Sequence, residues 1–211
     1  MVNRDQIAEW IRRSAQVLAE NKTYLTDLDA AIGDADHGIN MDRGFQKVLA
    51  QLPTVEKNDI GNILKTTGMA LISSVGGAGG PLYGTFFMRA GMATDGKQEL
   101  TDDDLVKMFE SAVEGVIQRG KANPGDKTMI DALVPAVDVL RSAVAEGGLT
   151  TAEAMRRAVA AAQAGMLGTI PLVARKGRAS YLGERSAGNQ DPGATSSYLI
   201  LNTLLEVISS S

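Results

Sequence analysis

Leu28-Asp29-Ala30-Ala31-Ile32-Gly33-Asp34-Ala35-Asp36-His37-Gly38-Ile39-Asn40-Met41 gathers three carboxylates and the only histidine of the chain into one short segment. Asp34 and Asp36 are two residues apart, and Asp29 lies five before Asp34. Neighbours on one helix face sit three or four apart, so this spacing predicts a loop that curls its acids toward one point. Gly33 and Gly38 permit the curl, because glycine tolerates positive φ. Converging hard oxygens suit Mg²⁺, which takes a few protein carboxylates and fills its shell with water and phosphate. The same residues also make a solvated acidic turn, since Asp and Gly are ordinary turn formers. An EF-hand is excluded, because its acids and closing glutamate do not fit here.

Helices are predicted on both sides of this stretch. Ile7, Trp10, Ile11 and Leu18 repeat at helical spacing, which gives a first helix over Asp5 to Glu20. His37 to Leu52 reads as a second, stopped by Pro53. Its first turn is expected to aim free backbone N–H groups at whatever the metal holds. Ile60, Ile63, Leu64, Thr67 and Leu71 mark a third. It runs into Ser73-Ser74-Val75-Gly76-Gly77-Ala78-Gly79-Gly80-Pro81, where the glycines are too dense for a helix interior. Pro81 is expected at the first position of the next helix. A glycine loop feeding a helix N-terminus can cradle phosphate, and a tight helix–helix corner has the same composition. It is neither a Walker A motif nor a GxGxxG fingerprint.

Further on, Thr101-Asp102-Asp103-Asp104 reads as a capped, solvated start to the helix carrying Leu105, Met108, Phe109, Ala112 and Val116. A long loop, Gly120 to Met129, precedes a helix through Ile130, Leu133, Val134, Val137 and Leu140, bent near Pro135. Thr150 and Glu153 have capping-box spacing ahead of the alanine-rich run Ala154 to Ala164. Ala174 to Arg185 carries Arg175, Lys176, Arg178 and Arg185, which by charge alone make a basic surface loop. Gly188 to Thr195 imitates a P-loop, but Ala194 stands at the lysine position, so that motif is rejected. Asp191 as N-cap and Pro192 at the first position instead open the last helix, striped by Leu201, Leu204, Leu205 and Ile208.

No strand-like alternation of useful length appears. The expected fold is all-α: about eight amphipathic helices in an antiparallel bundle or barrel, with the unusual loops clustered at one end. The 211 residues are expected to form a single domain, 1–211. Aromatics are only 4%, so Leu, Ile, Val, Met and Ala must fill the core. A net charge of −4 without a basic stripe argues against nucleic acid. The absence of cysteine excludes disulfides and zinc-thiolate sites. The N-terminus lacks an apolar signal core and no segment has the length of a membrane span, which makes a soluble cytoplasmic protein the default.

These loops, in this order, resemble the dihydroxyacetone kinase L-subunit family. The likeness runs nearly end to end. It rests on Gly33-Asp34-Ala35-Asp36-His37-Gly38 with Asn40-Met41, Ser74-Val75-Gly76-Gly77-Ala78 and Gly120-Lys121-Ala122. It continues through Gly125-Asp126-Lys127-Thr128-Met129, Ala174 to Arg185, and Asp191-Pro192-Gly193. The resemblance implies a barrel of eight antiparallel helices with a nucleotide clamped at one end. It implies that Asp29, Asp34 and Asp36 hold two Mg²⁺ ions bridging a diphosphate. By the same carry-over His37, Gly38, Ile39, Asn40, Ala78, Gly79, Gly120, Met129, Arg178, Asp191, Pro192 and Gly193 contact a tightly bound ADP or ATP. Arg178 is then the catalytic cation near the transferred group, since guanidinium binds phosphate bidentately. His37 joins it as a phosphate contact or a residue orienting the acidic loop, in preference to a phosphohistidine. Many relatives have serine where this chain has Gly79, so one hydroxyl contact to phosphate is expected to be missing.

In that family a histidine of a separate K subunit holds the sugar covalently. The single histidine here sits in the acidic loop, and the chain starts one helix before it, so no K domain is expected on this chain. The resemblance therefore implies half an enzyme. A phosphohistidine on an M subunit of the sugar phosphotransferase system would recharge bound ADP, and the γ-phosphoryl would pass to dihydroxyacetone on K. The alternatives are an ATP-dependent dihydroxyacetone-type or fatty-acid-type kinase subunit that exchanges nucleotide, and a nucleotide-loaded module that reports to a transcriptional regulator.

Overall fold

The structure, a computed structural model, describes residues 1–210. Among them are nine α-helices: α1 (Arg4–Glu20), α2 (Lys22–Ile32), α3 (His37–Gln51), α4 (Ile60–Ser74), α5 (Gly79–Ala93), α6 (Asp102–Gly120), α7 (Ile130–Glu146), α8 (Thr151–Gly168) and α9 (Pro192–Ser209). Two short pieces of 3₁₀ helix, Leu52–Thr54 and Arg178–Ser186, lie between them. β1 (Val2–Asn3) pairs antiparallel with β2 (Glu99–Leu100) and fastens the N-terminus to the α5–α6 connection.

Eight of the helices close a ring: α1 touches α3, each of α3 to α9 touches the next, and α9 returns to α1. The expected eight-helix barrel is thus present, and α2 is an additional helix laid on α3 and α9 at one end. The capping signals are used as read. Thr101 with Asp104 and Thr150 with Glu153 form full capping boxes, and the Asp191 side chain accepts from the Ala194 N–H with Pro192 behind it. Pro135 lies inside α7.

The α4–α5 contact shows why the chain is rich in glycine there. A Cβ on Gly61 would lie 2.8 Å from the Gly91 carbonyl, and one on Gly68 would lie 2.7 Å from the Gly84 carbonyl. As the first number rises the second falls, so the helices run antiparallel with their backbones touching. This approach also moves the start of α5. It begins at Gly79 rather than Pro81, because Gly80 packs against the Val75 carbonyl, 2.4 Å from where a Cβ would sit. Inside the ring, Trp10, Phe45, Phe86, Phe87 and Phe109 contact one another ring to ring. No helix among the described residues is long and apolar enough to cross a membrane.

Candidate functional site

Asp29 stands in the last turn of α2, not in a loop. The helix was hidden in the sequence because its buried residues are only Leu25, Asp29 and Ile32. Those three do have helical spacing, but the middle one is an acid. α2 ends at Gly33 and α3 begins at His37. Between them the chain folds back so that Asp29 Oδ2 accepts from the N–H groups of Asp36 (2.8 Å) and His37 (3.1 Å). Of the first-turn donors of α3 expected to face a ligand, the His37 N–H is therefore occupied by Asp29. The glycines serve close approach rather than positive φ. A Cβ on Gly33 would lie 2.0 Å from Asp29 Oδ1, and one on Gly38 would lie 2.0 Å from the Lys22 carbonyl. The left-handed residue of the loop is Ala35, at φ 60°.

The result is a convergence. One carboxylate oxygen from each of Asp29, Asp34 and Asp36 lies within 4.8 Å of the others. Three hard oxygen donors at this separation, one of them on a carboxylate already fixed by two N–H groups, fit a divalent cation such as Mg²⁺. Asp34 Oδ2 also meets Arg178 Nη2 at 3.1 Å, which links the acidic loop to the basic segment.

These acids form one wall of a cleft of about 900 Å³, counted to its open mouth. The glycine loop, Val75 to Gly79, forms the next wall, with Leu82 and Tyr83 behind it. Lys127-Thr128-Met129 before α7, Asp191-Pro192-Gly193 at the start of α9 and Lys176 to Ala179 line the rest of it. Of the residues singled out in the sequence, Asp29, Asp34, Asp36, His37, Asn40, Ala78, Gly79, Met129, Arg178, Asp191, Pro192 and Gly193 line this one cleft. Gly38, Ile39 and Gly120 do not. Gly38 is buried against α2, Ile39 is exposed on the outside of α3, and Gly120 ends α6 next to Leu82.

Behind the lining runs a chain of hydroxyls. His37 Nε2 is 2.8 Å from Ser196 Oγ, and the Tyr83 hydroxyl is 2.6 Å from Ser196 Oγ and 3.0 Å from Ser197 Oγ. Burial pushes the Tyr83 phenol up to about 12. Burial likewise holds His37 below its ordinary value, against the pull of Asp29 and Asp36. Burial thus favours the uncharged form of this imidazole, which lines the cleft.

Lys127 is the group sequence reasoning passed over. It is 1% exposed, at φ 62°, and its ammonium donates to the carbonyls of Thr169 (2.8 Å), Leu172 (3.1 Å) and Asn189 (2.5 Å). Asp131 fixes the same loop from below by accepting from the N–H groups of Gly125 and Thr128. Its only signal was a lysine inside Gly125-Asp126-Lys127-Thr128-Met129. Tyr83 gave no signal at all.

Asp191 is buried, and desolvation raises its carboxyl to about 7. Asp131 and Asp29 add to the rise, while the Ala194 N–H and Lys127 oppose it. Between 3.8 and about 7 the folded chain keeps a proton that the unfolded chain has released. The stability this provides is present below that window and is lost as pH rises through it, by up to about 1.4 kcal/mol per pH unit. Asparagine keeps the cap without the charge. In melts free of nucleotide and divalent cations, Asp191→Asn is expected to match the unaltered chain near pH 4 and to melt higher at pH 8. A lower melting temperature at pH 8 would contradict this.

The DAK2 domain family matches residues 31–206, and the chain belongs to that family. Within it, the chain is 53% identical to the PEP-dependent dihydroxyacetone kinase ADP-binding subunit DhaL of Escherichia coli K12, with 96% of each chain covered. It is 46% identical to the ADP-binding subunit DhaL of PEP-dependent dihydroxyacetone kinase 2 of Listeria innocua, over 90% of this chain and 88% of that one. The dihydroxyacetone kinase of C. freundii, solved in complex with AMP-PNP and Mg²⁺, superposes with a TM-score of 0.71 at 27% identity over 96% of this chain. This chain covers 33% of that longer one.

Proposed function

We propose that this chain is the ADP-binding phosphotransferase subunit of a PEP-dependent dihydroxyacetone kinase. The observation that carries the reading is the convergence of Asp29, Asp34 and Asp36 at a cleft that the glycine loop also lines. Supporting it are relatives of that name matched over nearly their whole length. The chain is read as a single nucleotide-binding domain.

Phosphoryl transfer demands positioning and charge neutralisation more than covalent chemistry from the protein. Asp29, Asp34 and Asp36 hold two Mg²⁺ ions, which offset the charge of a diphosphate when bound. The glycine loop and the starts of α5, α7 and α9 supply backbone donors around the phosphates. Arg178, paired with Asp34, is the cation that turns to the transferred group, and His37, held by Ser196, orients the acidic loop beside it. The chain accepts a phosphoryl group onto its ADP from a phosphohistidine of an M subunit and delivers it to dihydroxyacetone on a K subunit, in the cytoplasm.

The relay is tested by mixing the purified chain with K, M and the upstream phosphate donors. Dihydroxyacetone phosphate is expected to form without added ATP, and native mass spectrometry is expected to show ADP with two magnesium ions on the chain. Product that appears only with stoichiometric free ATP would replace the relay with an ATP-dependent kinase that exchanges its nucleotide.

A further inference from the structure

Asn40 is 6% exposed and lines the cleft one helical turn beyond the acidic loop. Its side-chain oxygen accepts from Arg43 Nη2 at 2.6 Å. A guanidinium carries donors only, so the oxygen end of the amide must be the end that faces it. The Nδ2 end is thereby turned away from Arg43, and it has no protein partner among the described residues. Ser14 Oγ is the one fully buried side-chain polar atom without a partner among the described residues, so the Asn40 nitrogen is accessible, open to an acceptor that enters the cleft. Arg43 also donates from Nε to the Ser74 carbonyl at 2.9 Å, where α4 gives way to the glycine loop. Gly76 closes over the pair: a Cβ there would lie 3.0 Å from Asn40 Oδ1 and 3.2 Å from Arg43 Nη2. Arg43 itself is exposed and does not line the cleft.

We propose that Arg43 is a positioning residue that locks the Asn40 amide with its nitrogen toward the cleft, as a donor to an anionic oxygen of the bound diphosphate. This rests on the nucleotide reading above. Were the amide free to rotate, its oxygen would face the phosphates about as readily as its nitrogen, and a lone pair there would repel them. Arg43 excludes that orientation without touching the ligand. The carboxylates of the acidic loop would otherwise leave this end of the cleft with few donors, since the Asp36 and His37 N–H groups are occupied by Asp29.

The test is a double-mutant cycle of Arg43→Met and Asn40→Ala, read by calorimetric titration with ADP in excess magnesium. Arg43→Met is expected to weaken binding about tenfold, the loss of one charge-assisted hydrogen bond. Its melting temperature should stay that of the unaltered chain, because the removed group is at the surface. In the Asn40→Ala background the same change is expected to add no further loss, since the amide it orients is gone. Unchanged affinity in Arg43→Met would overturn the proposal. So would a full tenfold loss in the Asn40→Ala background, which would mean that Arg43 acts on the ligand by its own charge. If the unaltered chain bound no Mg–ADP, the nucleotide reading would fall and this inference with it. Binding by the unaltered chain with an unaffected Arg43→Met would remove this inference alone.

Discussion

The double variant Asp34→Ala/Asp36→Ala is expected to bind ADP in excess magnesium at least about 100-fold more weakly, since even groups one shell out from a metal cost 10- to 100-fold when removed. Its fold is expected to survive. Among the described residues, Asp34 and Asp36 make no side-chain contact that holds two helices together; the one ion pair they form there is Asp34 with the largely exposed Arg178, a class of pair that contributes little. Without ligand, moreover, the acids repel one another. Asp29 is a poorer choice for this test, because its carboxylate receives the Asp36 and His37 N–H groups and its removal would loosen the loop itself. Calorimetric titration beside a thermal melt separates binding from folding. Undiminished affinity would refute the metal assignment.

Lys127→Met is expected to produce the opposite pattern, a large loss of stability that carries binding down with it. The methionine fills much the same volume, but the carbonyls of Thr169, Leu172 and Asn189 lose their common donor inside the protein. Burial lowers the Lys127 pKa while Asp191 and Asp131 raise it. A nest of acceptors has use only for the protonated form, so the ammonium is what the fold contains. Removing it should cost about 3 kcal/mol, at the upper end for hydrogen bonds to a charged group. For a chain of this size that is roughly a 10 °C fall in melting temperature. Lys127 reaches both the segment after α8 and the turn before α9, beside the Asp191 N–H to Thr169 and Gly188 N–H to Ile170 bonds that also join them, so the Asp191-Pro192-Gly193 wall should loosen as well. A melting temperature within a degree or two of the unaltered chain would sink the claim.

The barrel was legible because its helices are amphipathic and punctuated by capping residues whose chemistry is local. Thr150 with Glu153 and Asp191 with Pro192 announce helix starts whatever the rest of the chain does. Three features were not legible, each for a tertiary reason. α2 buries an acid where a helix normally buries an apolar residue, so its period was invisible. The start of α5 follows the backbone contact between α4 and α5 rather than helix propensity, which placed Gly79 and Gly80 outside the helix. Arg43 looks like any solvated charge on α3 until its two acceptors, one of them on another helix, are seen together. The residues that line the cleft were found mostly through motif order. Lys127 and Tyr83, which hold the lining in place, carry no ligand chemistry that a motif would reveal.

The chain has a single tryptophan, and it lies among the phenylalanines at the centre of the ring, its indole N–H on the Ile200 carbonyl at 2.8 Å. It does not line the cleft. The protein therefore carries an intrinsic fluorophore in a dry setting, whose emission should shift to the red when the barrel opens and stay still when a ligand docks. One optical channel, with no label attached, can distinguish a variant that has come apart from one that has merely gone blind to its nucleotide.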